Sequence, residues 1–125
     1  MKEDKMIGSE KNITHLLEKI EASPNTITFD DTISVIDTNY TFTPTKFTNS
    51  DTTNEAGSNN GSCKIFAFAK LHNLTPEQTL PLFGDYYRID VLQNPEMNDH
   101  ANIRNFMRYG WEGVVFEGNA LVNKG

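Results

Sequence analysis

Cys63, His72 and His100 are the side chains in this sequence best suited to nucleophilic or proton-transfer chemistry. A cysteine attacks as its thiolate, and it needs a base within hydrogen-bond reach. Cys63 opens an apolar run, Cys63 to His72, at a point where the amides and dipole of a helix start would favour the thiolate. His72 lies nine residues further on, half a turn out of phase on a straight helix, so the two cannot form a dyad there. His15 faces away from the apolar stripe of its own segment. His100 is left as the candidate base, expected in the first turn of the last helix, where the dipole disfavours imidazolium and leaves a neutral ring.

Each candidate has a plainer reading. Unpaired cysteines are among the most buried residues, so Cys63 as core filling is favoured. Gly61-Ser62-Cys63 resembles the run before a papain-like nucleophile, but Lys64 stands where an aromatic residue is expected. Asn54, Tyr86, Arg88, His100 and Arg104 could instead form a ligand-binding surface, arginine offering two-point recognition of carboxylate or phosphate. Asp85, Asp90 or Glu112 could neutralise those arginines as structural pairs, and that reading is favoured too. Asp99, His100, Cys63 and His72 show no metal-ligand spacing, so neither metal nor cofactor is expected.

The elements that must position these groups are short. Ile13, Leu16, Leu17 and Ile20 share a stripe with Met6, which predicts an amphipathic helix over 9–22 capped by Ser9, with residues 1–8 a flexible lead. A second helix is expected over 29–38, with Asp30 and Asp31 at its positive end. Tyr40 to Phe47 alternates aromatic residues with threonine and carries Pro44, the pattern of an extended edge. Asn49 to Ser62 is nearly all polar and reads as a long loop. Ile65, Phe66, Ala67, Phe68, Ala69 and Leu71 then make the Cys63 helix apolar all round and place it at the centre of the core.

Thr75-Pro76-Glu77-Gln78 is a capping box with proline at the first helical position. Tyr86 to Leu92 is expected as another helix. The last begins at Asp99 as N-cap and stops at Gly110, with Phe106 and Trp111 in contact across the stop. Val114 to Phe116 suits a short strand, and residues 118–125 are expected to be loose. The chain thus reads as one domain over 1–125, mainly α with a small β component (a small α+β fold) of about five or six short helices.

Composition narrows the function classes. Lys and Arg number 11 against 17 Asp and Glu, and a net charge of -6 argues against nucleic acid and anionic membrane surfaces. No apolar run reaches the roughly 18 residues of a membrane helix, so no membrane insertion is expected. The first six residues mix both charge signs with no apolar stretch behind them, unlike a secretory signal, and the lone cysteine suits a reducing compartment.

Tyr40-Thr41-Phe42-Thr43-Pro44-Thr45, Asn54-Glu55-Ala56-Gly57, Gly61-Ser62-Cys63-Lys64-Ile65-Phe66-Ala67-Phe68-Ala69, Phe83-Gly84-Asp85-Tyr86-Tyr87-Arg88 and Asp99-His100-Ala101-Asn102-Ile103-Arg104-Asn105-Phe106-Met107 occur in this order. Together they resemble the HopJ type III effector family, over about residues 28 to 117. The resemblance brings no catalytic residues with it. It implies a bacterial protein, expected in the cytoplasm or, alternatively, secreted into a host cell by a type III system. The expected function is a non-enzymatic binding or interaction module for an unidentified protein or small molecule, with the polar Asn49 to Ser62 loop and the Tyr86, Arg88, His100 and Arg104 surface as its recognition site. The alternative is a hydrolase or transferase using Cys63 and His100.

Overall fold

Lysine- and glutamate-rich sequence favours helix, and the chain enters helix α1 at once, over Lys2–Ala22. The computed structural model describes residues 2–124, with side chains from residue 12 onward. Ser9 therefore lies inside α1 rather than capping it, and residues 2–8, expected as a flexible lead, belong to the same helix. The side chain of Met6, assigned to the apolar stripe, lies outside the described side chains. Leu16 and Ile20 are buried as that stripe requires, with Ile13 and Leu17 packed at its edge.

Helix α2 runs Phe29–Asn39, close to its expected span, and the Thr28 hydroxyl accepts the Asp31 amide as its cap. The extended segment after it splits into β1, Tyr40–Phe42, and β2, Phe47–Asn49, separated by Pro44. The stretch expected as a polar loop departs most from the sequence reading. Thr52–Asn54 forms β3, antiparallel to β2, and helix α3 starts within the stretch at Asn60.

Helix α3, Asn60–Leu71, is the centre of the core, and Cys63, Ile65, Phe66, Ala67, Phe68 and Ala69 are buried. Its aromatic ring Phe66 lies against Phe47, Phe83, Phe106 and Trp111, at centroid distances of 6.0, 5.5, 4.8 and 6.2 Å. The capping box at Thr75 is formed in both directions and opens α4, Pro76–Thr79. Pro81 cannot donate a backbone bond, and the chain tightens there into a 3-10 turn over Leu80–Phe83. Tyr86–Val91 then winds as a π-helical turn, wider than the expected α-helix.

Helix α5 spans Ala101–Tyr109 and stops where expected: Gly110 has φ +62, and Phe106 and Trp111 meet edge to face at 4.9 Å. The N-terminal expectation is corrected. His100, not Asp99, occupies the cap position with a left-handed backbone, and no side chain caps the helix. Asp99 is unavailable because its carboxylate accepts Arg104 Nη2 at 2.7 Å. Strand β4, Val114–Phe116, completes the sheet order β3-β2-β4, and β5, Leu121–Asn123, pairs with β1. The expected loose tail is thus tied down as far as Asn123. The whole is a single α+β domain, predominantly helical with two small antiparallel sheets. Among the described residues no helix is long and apolar enough to cross a membrane.

Candidate functional site

Two helix starts face each other across a cavity of about 350 Å³. Its lining includes Asn59, Gly61 and Ser62 at the head of α3, His100, Ala101 and Asn102 at the head of α5, and Phe29 and Tyr86 on its walls. A helix leaves its first amides without intrahelical acceptors, and a side chain at the cap commonly takes one of them. Here neither cap residue does so: Asn59 and His100 both adopt left-handed backbone, and neither side chain bonds back to its helix. A left-handed residue followed by helical ones turns consecutive amides into a shallow concavity that accepts negative charge.

The cap side chains are committed elsewhere. Asn59 Nδ2 donates to Asn54 Oδ1, and Asn54 belongs to a buried amide cluster. Asn102 Oδ1 accepts from both Asn49 and Asn54 at 3.1 Å, and Asn102 Nδ2 donates to Asn54 Oδ1 at 2.9 Å. Asn49 Nδ2 also donates to the Asn102 carbonyl at 2.8 Å. Buried amides are costly unless paired, so this cluster fixes the β2–β3 hairpin against both helix starts. Gly61 lets the Phe29 ring approach the head of α3, since a Cβ there would lie 2.8 Å from Phe29 Cζ and push the ring aside.

His100 is held from the other side. Its Nε2 lies 3.0 Å from Asp90 Oδ2, a contact that places the hydrogen on Nε2 because a carboxylate only accepts. The Asp99 carboxylate stands 3.9 Å from the same nitrogen. The His100 ring tilts against Tyr86 at 5.3 Å, and Tyr86 in turn meets Phe29 edge to face at 5.0 Å. Asp99 is held below its ordinary carboxyl range chiefly by the hydrogen bond from Arg104.

The residues singled out from sequence are thus sorted. Tyr86 and His100 line the cavity together, while Asn54 is buried behind it as a structural amide. Arg88 spends its guanidinium on the carbonyls of Pro24 and Ile27 and on Asp85, so it ties the π-helical turn to the α1–α2 connection. Arg104 is bound to Asp99 and to the Asp90 carbonyl. Thr52, Asn59, Gly61 and Ser62 of the lining belong to the polar 49–62 stretch expected at the site, whereas Phe29 and Asn102 were missed by the sequence reading. The two uncapped helix starts were the signal, but Asp99 looked like a cap and obscured one of them.

Cys63 is not part of this cavity. It is 1% exposed and its Sγ donates to the Thr45 carbonyl at 3.5 Å. Burial pushes its thiol up, against a smaller lowering by that hydrogen bond. His72 is half-buried, with its Nε2 2.9 Å from Tyr40 Oη, and its pKa is lowered by burial, so it packs at the edge of the interior and away from the cavity. A thiol reagent should therefore label Cys63 slowly in folded protein and promptly only in denaturant. Prompt labelling of the folded chain, with a rate following an ionisation well below about 8.5, is the contrary result.

Among the described residues no cluster of three or more histidine, cysteine or acidic side chains is arranged to hold a metal ion. No curated protein matches the chain. A solved structure titled "Crystal structure of unknown function protein VPA0580" matches with a TM-score of 0.87 and 55% sequence identity. That match covers 89% of this chain and 92% of the other. The model of the family described as "HopJ type III effector protein" matches residues 13–121, from α1 through the start of β5, which spans the cavity and its supporting amide cluster. On that match the chain belongs to the HopJ type III effector protein family.

Proposed function

We propose that this protein is a non-enzymatic binding module whose ligand sits in the cavity between the starts of α3 and α5. The observation that carries this reading is convergence: the 49–62 segment, the π-helical turn and α5 each contribute side chains to one concavity bordered by two uncapped helix starts. The fitting ligand is a small molecule with one hydrogen-bond-accepting anionic group, set between the amide concavities, and a flat part stacked on Tyr86. Asp90 and Asp99 stand close to His100 and oppose multiply charged groups, so a monocarboxylate suits the site better than a phosphate.

Titration calorimetry with benzoate as the probe tests the reading. Tyr86→Ala and His100→Ala should each weaken binding about tenfold, which corresponds to ~1.4 kcal/mol. Cys63→Ala should leave it unchanged. Absence of benzoate binding, or binding unaffected by both cavity variants, refutes the site. Substrate turnover that disappears on Cys63→Ala would favour the hydrolase or transferase reading instead.

A further inference from the structure

A second and larger concavity, about 620 Å³, lies along α5 and the chain that leads into it. It meets the first at Thr52 and Ala101 but is differently built. Leu92, Met97 and Met107 line it with 47%, 57% and 43% of their surfaces exposed. Single exposed apolar residues are ordinary, whereas several sharing one concavity mark a binding surface. Two of the three are methionines, whose flexible thioethers adapt to varied apolar partners.

The charge at this groove is as informative as its apolar floor. Among the described residues, Lys19, Lys46, Lys64, Arg88 and Arg104 each pair with a carboxylate, Lys124 donates to the Asp37 carbonyl, and Lys70 lies over Phe116. Arg108, exposed and lining the groove, is the one described lysine or arginine with no such partner. A protein of net charge -6 has carboxylates in excess, yet among the described residues none is within pairing distance of this guanidinium. Arg104 lines the same groove but is already held by Asp99, and Asp51 adds one negative charge. One free cation against one acid leaves room for a singly charged ligand and disfavours a multiply charged one.

We propose that the groove along α5 binds an amphipathic monocarboxylate, its alkyl chain laid over Leu92, Met97 and Met107 and its carboxylate on the Arg108 guanidinium. The volume is in the range of small-molecule sites, roughly 300–1,000 Å³, and guanidinium is the side chain that best matches carboxylate geometry. This site does not depend on the benzoate cavity, because its floor and its cation are separate residues.

Octanoate is the probe, followed by methyl NMR of the methionines and by calorimetry. Octanoate should shift the Met97 and Met107 methyl signals, while octanol, which lacks the charge, should bind about tenfold more weakly and acetate, which lacks the chain, not measurably. Arg108→Gln should bring octanoate down to the affinity of octanol, and Met97→Asp should weaken it by a similar factor. Arg108 is exposed and has no hydrogen-bond or ion-pair partner among the described residues, so unfolding curves of Arg108→Gln should stay close to the parent. Equal affinity for octanoate and octanol, or no shift at either methionine, overturns the proposal using unaltered protein alone. Capture of an acidic amphipathic peptide without any octanoate binding would overturn the ligand class.

Discussion

Phe66→Ala should lower the free energy of unfolding by about 3–5 kcal/mol, read from urea denaturation at neutral pH. Phe66 is fully buried on α3, and its ring is the point where β2, the 3-10 turn at Leu80–Phe83, α5 and Trp111 meet. Truncation leaves a void whose walls belong to four different segments, so they cannot close over it together. Typical domains have only about 5–15 kcal/mol in total, so much of the margin goes with one ring. Phe66→Leu keeps most of the volume and should cost markedly less. A loss below about 1 kcal/mol for Phe66→Ala would mean that α3 is not the centre of the core.

Asn102→Ala should cost about 2–4 kcal/mol, an unusual value for a polar residue near a helix start. The side chain makes three buried hydrogen bonds, two accepted and one donated. Its removal leaves the amides of Asn49 and Asn54 short of partners in the interior, at roughly 1–3 kcal/mol for each unsatisfied group. Asn49 retains the Asn102 carbonyl and Asn54 retains the more distant Phe47 carbonyl at 3.4 Å, which keeps the loss finite. Exposed Asn98→Ala, at the groove, serves as the control and should be within about 0.5 kcal/mol of the parent. Equal effects at the two positions would remove the amide cluster as the element that holds the two helix starts.

Several local signals were legible in the sequence, the Ser9 and Asp99 caps excepted, and distant ones were not. Thr75 before Gln78 and Gly110 after α5 each specify a turn through bonds a few residues long, and both formed. The all-round apolar run likewise placed Phe66 and Phe68 in the interior. Asn49 and Asn54 gave no such signal, because an amide that is solvated in a loop and one that is paired in a core are the same residue type. Their pairing depends on Asn102, 53 and 48 positions away. The pairing of β1 with β5 is hidden for the same reason, since three-residue strands far apart carry too little pattern to find one another.

The site followed the same division. Tyr86 and His100 were legible as chemically capable residues, and they do share a cavity. Arg88 and Arg104 looked equally capable but are taken up by backbone carbonyls and by Asp99, partners that only the fold brings near. Cys63 had the helix-start position that favours a thiolate, and the desolvation that comes with burial raises its pKa despite the hydrogen bond to the Thr45 carbonyl.

Amide NMR with benzoate addresses the binding cavity most directly, because the backbone groups assigned to the ligand report on themselves. Saturable shifts should concentrate at Gly61, Ser62, Ala101 and Asn102, the lining residues at the two helix starts, and should shrink in Tyr86→Ala. Shifts that cluster elsewhere, or that leave these four amides unmoved at saturation, would contradict a ligand site between α3 and α5.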